Sequence, residues 1–403
     1  MLRLSLKNIV FELMIAMPAL YTLLNFFPGT IGNKIILVVL ILCFVLLNQI
    51  YIRKARRWHF IITDTLLALY VVYIGLIEGP KKLIDVQFYG FVFLFIVFLL
   101  FSDDDIRSDF FQYFNSSKNR FIVYVALFAA AVIYSVIFMD GLQVKSYSPI
   151  PVLYGPYGVG HMLAYVLIVI YCGCAVYDRD LKSKLFIVLR VLCVICIFIT
   201  AVRTATLAIA VIVVTEFLSI RKAGTKVIIA AISILVLVTL LVETDILINN
   251  PIIQKTLYAS EVGGSVTNGR EWYRDIEMDY YFNSTNLFQK LFGVGMTSVY
   301  ECIDDILGVR IHAHNDYVNI LVGYGLVALV MFIICQLRLS KICNSIWSKI
   351  LFQVFIFILA YYNGFAMYIM LTVSFPIVMC FFESCGLESG FRLKAKKVKF
   401  KWK

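Results

Sequence analysis

Charged side chains are scarce in this chain. Asp, Glu, Lys and Arg together make up 15% of the 403 residues, whereas hydrophobic residues make up 62%. A soluble domain carries more charge than this, because charged groups are the ones that stay in water. The shortage therefore excludes an ordinary soluble protein and indicates a chain that lies mostly in lipid.

Groups that bind metals or form disulfides are also sparse. Only four histidines are present, and of the ten cysteines only Cys302 falls in a long polar segment. Cys172 with Cys174, and Cys193 with Cys196, have a spacing that can hold a metal, but both pairs lie in apolar stretches without histidine or carboxylate partners. We interpret them as small packing residues. The sequence thus predicts no metal site, no cofactor and no disulfide framework.

Long apolar runs are what the chain has in abundance. A run of about 17–25 residues is long enough to cross a hydrocarbon core of about 30 Å as a helix. Twelve such runs predict an all-α polytopic membrane protein that forms a single domain over residues 1–403. They lie at 8–27, 34–52, 59–78, 86–101, 120–139, 159–177, 185–202, 204–220, 227–242, 315–336, 350–365 and 367–384.

The basic residues indicate how these spans are oriented. With a cytoplasmic N-terminus, 25 of the 36 Lys and Arg fall in alternate loops and in a basic tail at 388–403. The positive-inside rule then places both termini in the cytoplasm. The net charge of +11 follows from this topology and from attraction to an anionic leaflet, so it does not indicate nucleic acid binding. We expect no cleavable signal peptide, because further spans follow the first apolar run.

The region 185–220 predicts an arginine at a buried membrane turn. Both of its flanks are basic, so its 36 residues must cross the membrane twice, with about 27 Å in each arm. The reversal must fall at T-A-V-R-T-A-T, with Arg203 at its tip. Irregular backbone is not tolerated against lipid, so the turn should be buried in protein or line a wet cavity. An arginine there is costly unless an anion meets it.

A single large extracytoplasmic loop is predicted over residues 243–313. It holds ten acidic and five basic residues, so its arginines are specific placements or local ion pairs. Asn268 is predicted to cap a helix in which Arg270 and Arg274 share one face. The alternative is that these two arginines only pair with carboxylates of the same helix. Trp272 would point towards the membrane.

Two histidines lie where this loop ends, in the segment R-I-H-A-H-N-D-Y directly before an apolar run. Imidazole is the side chain best suited to move a proton near neutral pH, which makes His312 and His314 candidates for proton transfer. The alternative is a pair of interfacial histidines without a chemical role. If the segment were helical, the two rings would point about 200° apart, so that only one could face the arginines.

The predicted outer face therefore combines arginines with histidine. Arginine is a permanently charged, bidentate partner for phosphate, and converging arginines can stabilise a departing diphosphate. A histidine beside them can take a proton from an attacking hydroxyl. No D-x-D motif accompanies these residues on that face, and the carboxylates there are not paired in a way that suggests a metal site near the histidines. This combination predicts transfer from a lipid diphosphate without a metal.

Two motifs resemble those of the O-antigen ligase and O-antigen polymerase family. Ligases of that family carry His followed by Asn, Ser or Gln, nine residues, Gly, two residues, then Gly, Thr or Tyr. This chain has His314-Asn315, nine residues, Gly325, two residues, then Ala328, so the last element departs. T-A-V-R-T-A is similar to the family's Thr/Ser-x-x-Arg segment and places Arg203 on its phosphate-binding arginine.

Two further segments add to the resemblance. N-G-R-E-W before L-F-G-V-G is similar to the family's Gly-Arg…Trp and Gly-x-Gly pattern, which places Arg270 on a second arginine. The segment Y-G-P-Y-G-V-G-H-M-L-A resembles another conserved stretch only weakly, with His161 where asparagine is usual.

The resemblance implies a metal-independent, GT-C-like glycosyltransferase of the bacterial cytoplasmic membrane that uses undecaprenyl-diphosphate-linked oligosaccharide. A polymerase of repeat units is preferred, because Ala328 departs from the ligase pattern. An O-antigen ligase and a sugar transporter are the alternatives. A flippase and a chain-length regulator are expected partners. Arg203, Arg270 and His314 are the predicted catalytic residues, and the predicted substrate contacts are His161, Trp272, Arg274, Arg310, His312, Asn315 and Tyr317.

Overall fold

The computed structural model describes residues 6–26, 90–145, 148–219, 251–263, 270–343, 345–362, 364 and 368–386, with single positions between 43 and 76. Helices dominate these ranges. They are α1 Leu6–Leu24, α2 Gly90–Phe101, α3 Asp104–Ser116, α4 Lys118–Phe138, α5 Gly160–Tyr177, α6 Lys184–Ile199, α7 Arg203–Ser219, α8 Pro251–Gly263, α9 Arg270–Asp279, α10 Leu287–Phe292, α11 Met296–Leu307, α12 Asp316–Leu339, α13 Ile346–Tyr362 and α14 Ile369–Gly386.

Most of the predicted spans coincide with these helices. The runs that begin at 8, 86, 120, 159, 185, 204, 315, 350 and 367 match α1, α2, α4, α5, α6, α7, α12, α13 and α14. The runs at 34–52, 59–78 and 227–242 and the tail at 388–403 fall wholly or mostly outside the described residues, so the count of twelve stays a prediction. By length and composition, four described helices are able to cross a membrane: Leu6–Leu24, Lys118–Phe138, Gly160–Tyr177 and Asp316–Ile342.

A β-hairpin interrupts the helical pattern where the sequence indicated only a turn-rich loop. Strands β1 Leu142–Lys145 and β2 Ser148–Leu153 pair antiparallel, with Leu142 opposite Leu153 and an irregularity between Gln143 and Lys145. The proline-rich sequence S-P-I-P-V-L hid the second strand, because proline is tolerated only in strands that leave its nitrogen unpaired. The described residues are consistent with the predicted all-α membrane protein, and this hairpin is an exception to it.

Helix α5 lies at the centre of the bundle. Almost all of its residues are buried, and it packs against α6, α7 and α14, while α14 also packs against α1 and α2. A helix that is apolar on every side must be surrounded by other elements or by lipid. The N-termini of α5 and α7 lie together at one end of the bundle, which we call the site end.

Ion pairs stabilise the opposite end. Arg190, which the sequence places inside a span, is buried and pairs with Asp178 at 3.3 Å and with Glu216. Glu216, which also falls in an apolar run, is thereby ion-paired. Glu12 accepts a hydrogen bond from Arg120 at 2.9 Å and others from two tyrosine hydroxyls. Glu12 and Glu216, the acidic groups of α1 and α7, are thus accounted for by structural pairs.

Helix α12 is not a straight span. Gly325 has φ 86° and ψ 173°, which breaks the helix. A straight helix would separate Tyr317 from Gln336, 19 positions later, by about 28 Å, yet the Tyr317 hydroxyl donates to Gln336 Oε1 at 3.0 Å. The chain therefore reverses direction at Gly325, and α12 is a helical hairpin. The prediction of one membrane helix over 315–336 is wrong in this respect.

A backbone clasp holds the tip of this hairpin. The break at Gly325 releases the carbonyls of Val322 and Gly323 from their helical partners. They accept hydrogen bonds from Val294 N–H at 3.1 Å and Gly295 N–H at 2.9 Å. The loop between α10 and α11 is thereby joined to α12.

Glycine is required at the clasp because the two backbones touch. A Cβ on Gly293 would lie 2.2 Å from the carbonyl oxygen of Gly323, and one on Gly325 would lie 2.3 Å from that of Leu291. Small residues such as Gly323 and Gly325 are expected to let a neighbouring helix approach closely. At Gly323 that helix is α11, since a Cβ there would lie 2.9 Å from Met296 Sδ, and at Gly325 the neighbour is the end of α10.

Candidate functional site

Helix α9 is fixed to the end of α13 by its two arginines. Arg270 Nη1 donates to the carbonyl oxygen of Tyr362 at 2.5 Å, and Arg274 Nη1 donates to the Tyr361 hydroxyl at 2.6 Å. The Arg274 guanidinium also lies 5.2 Å from the centre of the Tyr361 ring. A cation at a helix C-terminus is favourable, because the last carbonyls carry partial negative charge. The two arginines therefore contact α13, which differs from the alternative that they only pair with carboxylates of their own helix.

Glu277 lies on the same face of α9 as Arg270 and Arg274. It reaches residues 310–317, which we call the histidine segment. Its Oε1 accepts a hydrogen bond from the backbone N–H of Ala313 at 2.7 Å, and its side chain is completely buried. Burial raises the pKa of Glu277 well above its ordinary value, although the Ala313 N–H opposes that shift. This buried carboxyl group thus fixes Ala313, the residue between the two histidines.

The two histidines lie side by side instead of diverging. Their ring centres are 4.4 Å apart, because residues 309–315 are not helical and His314 adopts φ 52°. The expectation that the rings point about 200° apart depended on a helix and is wrong. A left-handed φ is uncommon for a residue with a side chain, and such strain is concentrated at functional sites.

His312 supports the strained turn. Its Nδ1 accepts the backbone N–H of His314 at 3.0 Å and lies 3.3 Å from Asn319 Nδ2. Burial, and then the charge of Arg270, lower the pKa of His312 to about 4. A neutral ring that accepts at Nδ1 carries its proton on Nε2. His312 is therefore committed to holding the backbone of His314.

The turn before Arg203 has the position and burial that the sequence predicts. Helix α6 ends at Ile199 and α7 begins at Arg203, and the three residues between them are buried. Ala201 adopts φ 53°. Gly160 at the start of α5 lets that helix approach, since a Cβ there would lie 3.1 Å from the carbonyl oxygen of Thr200. Arg203 and His161 are thus held at neighbouring helix starts.

Positive charge converges on this end of the bundle. The charges of Lys255, Arg270 and Arg203 all act on the His161 ring, and the charge of Arg270 also reaches His312. The structure therefore brings together residues from α5, α7, α8, α9 and the histidine segment, which are far apart in sequence. Such a group of cations beside histidine is suited to bind an anion and to stabilise negative charge that develops there.

Other predicted contact residues have structural duties. The Asn315 side chain caps α12 by accepting from the N–H groups of Tyr317 and Val318 at 3.0 and 3.3 Å. The Tyr317 hydroxyl donates to Gln336 Oε1. Arg310 and Trp272 are exposed.

Lys255 and Tyr368 are members of the site that the sequence did not indicate. Tyr368 stacks on His161, with ring centres 6.1 Å apart, and Lys255 Nζ donates to the carbonyl oxygen of Ala201 at 3.3 Å. Neither belongs to a motif, and both come from segments distant from Arg203. Only a knowledge of the helix packing would have found them.

Comparison with known proteins identifies the segment that contains most of this site. Residues 188–333 match a family model described as O-antigen ligase. The resemblance to the O-antigen ligase and polymerase family is confirmed. The matched segment includes Arg203, Arg270 and His314, and His161 lies before it. A search of curated proteins found no match.

The match supports a ligase- or polymerase-type function, and it gives no support to the transporter alternative. Members of the O-antigen ligase family are glycosyltransferase-like enzymes. Together with the apolar helices, the family indicates a multi-pass protein of the inner membrane.

Proposed function

We propose that this chain is a glycosyltransferase that polymerises undecaprenyl-diphosphate-linked oligosaccharide repeat units at the outer face of the bacterial cytoplasmic membrane. The proposal is supported by the charges of Arg203 and Arg270, which act together on His161, while the charge of Arg270 also reaches His312 beside His314. The proposal keeps twelve spans in a GT-C-like arrangement, with both termini cytoplasmic and the site extracytoplasmic.

In the proposed reaction, a hydroxyl of one lipid-linked repeat unit attacks the anomeric carbon of another lipid-linked chain. The new carbon–oxygen bond forms as the bond between the anomeric carbon and the diphosphate oxygen breaks. The departing diphosphate takes the electron pair and is stabilised by Arg203 and Arg270. His314 accepts the proton of the attacking hydroxyl.

His312 and Glu277 have positioning duties in this scheme. His312 supports the backbone of His314, and Glu277 fixes Ala313 between them. Arg270 is itself fixed by the end of α13. Holding the reacting groups in place before the reaction is a large part of enzymatic rate enhancement.

The second candidate is an O-antigen ligase, which the description of the matching family favours. The bond changes would be the same, and the acceptor would be a lipid A core instead of a second lipid-linked unit. Ala328 stands where ligases of the family have Gly, Thr or Tyr, and for this reason we place the polymerase first.

Deletion of the gene distinguishes the two candidates. If the chain is the polymerase, surface glycan from the deletion strain should run on a gel as a single repeat on the final acceptor. Long chains that accumulate on the lipid carrier would show instead that the ligase assignment is correct. Complementation with the intact gene is the control, because it must restore the original banding.

We also predict that the reaction needs no metal. Three cationic side chains at the site can offset the charge of a diphosphate, which is the duty that a divalent ion performs elsewhere. Purified protein in lipid should extend lipid-linked repeat units at an unchanged rate in excess EDTA. A rate that fell on chelation and recovered with Mg²⁺ or Mn²⁺ would contradict this mechanism.

A further inference from the structure

Lys255 is fixed at the turn that presents Arg203. Helix α8, which carries it, packs against β2 and α6. From there Lys255 Nζ donates to the carbonyl oxygen of Ala201 at 3.3 Å. Ala201 is itself buried and left-handed, two residues before Arg203. The ammonium group is therefore held beside this turn instead of extending into solvent.

The surroundings of Lys255 disfavour its charge. Burial, followed by the charges of Arg203 and Arg270, lowers the pKa of Lys255 to about 8. Like charges that are held together in a partly buried place repel one another, and an anion that binds between them removes that cost. The arrangement is thus better suited to a bound anion than to the empty site.

The three cations Arg203, Arg270 and Lys255 carry more positive charge than the negative charge of the lipid-linked donor. A diphosphate that links a lipid to a sugar is a diester with two negative charges. When the bond to the anomeric carbon breaks, the departing diphosphate gains a third. A cation that meets this additional charge stabilises the transition state more than the bound substrate, so it accelerates the reaction.

We infer that Lys255 is a further catalytic residue, which contacts the diphosphate and neutralises the charge that appears on it as it leaves. This inference rests on the proposed function. Arg203 and Arg270 bind the two charges already present in the donor, and Lys255 meets the third. It accepts no proton in this step, because the proton of the attacking hydroxyl passes to His314.

Direct binding of inorganic diphosphate to the purified full-length protein tests this duty. The variants are Lys255→Met, which removes the charge, and Lys255→Arg, which keeps it. Lys290→Met is the matched control, since Lys290 lies in the same predicted loop and donates to the carbonyl oxygen of Phe282, outside the site. We expect Lys255→Met to bind diphosphate about 10-fold more weakly than the wild type, with Lys255→Arg and Lys290→Met close to the wild type.

Kinetics should show the same residue acting on the chemical step. In Lys255→Met, kcat for extension of lipid-linked units should fall on the order of 100-fold, with a much smaller change in KM. A raised KM with an unchanged kcat would overturn the inference, because it would mean that Lys255 only binds the ground state.

The pH dependence of binding separates a charge from a merely structural contact. As pH rises through about 8, wild-type Lys255 loses its proton in the empty site, so its contribution to diphosphate binding should decline. The charge of Lys255→Arg persists over that range, so the ratio of the two affinities should shift in favour of the arginine variant. The titration of diphosphate itself cancels in this ratio.

The other titratable groups that face Lys255 do not account for such a change in the ratio of the two affinities. They are Arg203 from α7, Arg270 from α9 and His161 from α5. The strand β2 has no titratable side chain, and on α6 Arg190 lies at the opposite end, with Cys193 and Cys196 between. Both variants retain all of these groups.

The outcomes separate this inference from the proposed function. Wild-type protein that binds no diphosphate would overturn the diphosphate site and the inference together. If the wild type binds diphosphate and Lys255→Met binds it equally well, only the inference is overturned. The same holds if that variant also melts at a lower temperature, since Lys255 would then be structural.

Discussion

Replacing His314 with alanine should abolish polymer formation, whereas replacing His312 with alanine should leave appreciable activity. Loss of a general base typically lowers a rate by on the order of 10²–10⁴-fold. His312 has its Nδ1 committed to the backbone of His314. Its removal breaks one positioning hydrogen bond. Such a bond contributes on the order of 1 kcal/mol, so its loss should lower the rate several-fold.

The measurement is single-turnover extension of lipid-linked repeat units by purified protein in lipid. His312→Ala serves as the matched control, because it removes the neighbouring imidazole 4.4 Å away. Both variants should be expressed at the wild-type level and should still bind lipid-linked substrate. A His314→Ala protein with near-normal extension would rule out this base, and a greater loss in His312→Ala would transfer the role to His312.

Gly325→Ala should disable the enzyme from a position that makes no contact with substrate in the proposed scheme. The backbone there has φ 86° and ψ 173°, a conformation that only glycine adopts without strain. The added Cβ would lie 2.3 Å from the carbonyl oxygen of Leu291. Strain and the loss of two clasp hydrogen bonds together should lower the free energy of unfolding by on the order of 3 kcal/mol.

Gly308→Ala is the matched control for this substitution. Gly308 also has a positive φ of 65°, but a Cβ there would meet nothing within 4 Å. It should lower stability by only about 1 kcal/mol and leave extension unchanged. Thermal unfolding in detergent and polymer length on gels are the readouts. If Gly325→Ala had the unfolding temperature and the polymer length of the wild type, the clasp would not be needed.

The position of the Arg203 turn could be predicted because two independent constraints meet there. The basic flanks required the chain to return to the same side, and 36 residues left no room for the reversal elsewhere. Residues 200–202 are the turn in the structure, and they are buried. The approximate bounds of the apolar helices followed from the same length argument.

The reversal inside α12 could not be predicted in this way. Its apolar sequence is continuous across Gly325, and composition does not distinguish a straight helix from two arms of a hairpin. Isolated glycine is tolerated within a helix at modest cost. The break depends on hydrogen bonds from Val294 and Gly295, which come from another part of the chain.

The arrangement of the histidines and of Lys255 was hidden for a similar reason. The rings of His312 and His314 come together because His314 adopts a left-handed φ, which depends on contacts from Glu277 and Asn319. Lys255 reaches the turn only through the packing of α8. Local sequence identifies such chemical groups, whereas their meeting is set by tertiary structure.

The clasp at the tip of α12 also has a consequence for biogenesis. The carbonyls of Val322 and Gly323 have no helical partner once the chain reverses, so the hairpin is incomplete until the preceding loop has docked on it. That loop is synthesised first and is close in sequence, so docking closes only a short stretch of chain and can follow soon after translation. The histidine segment leads directly into α12, so assembly of the catalytic site and completion of this hairpin should be a single cooperative folding event. A protein whose loop has not docked should therefore be degraded by membrane proteases.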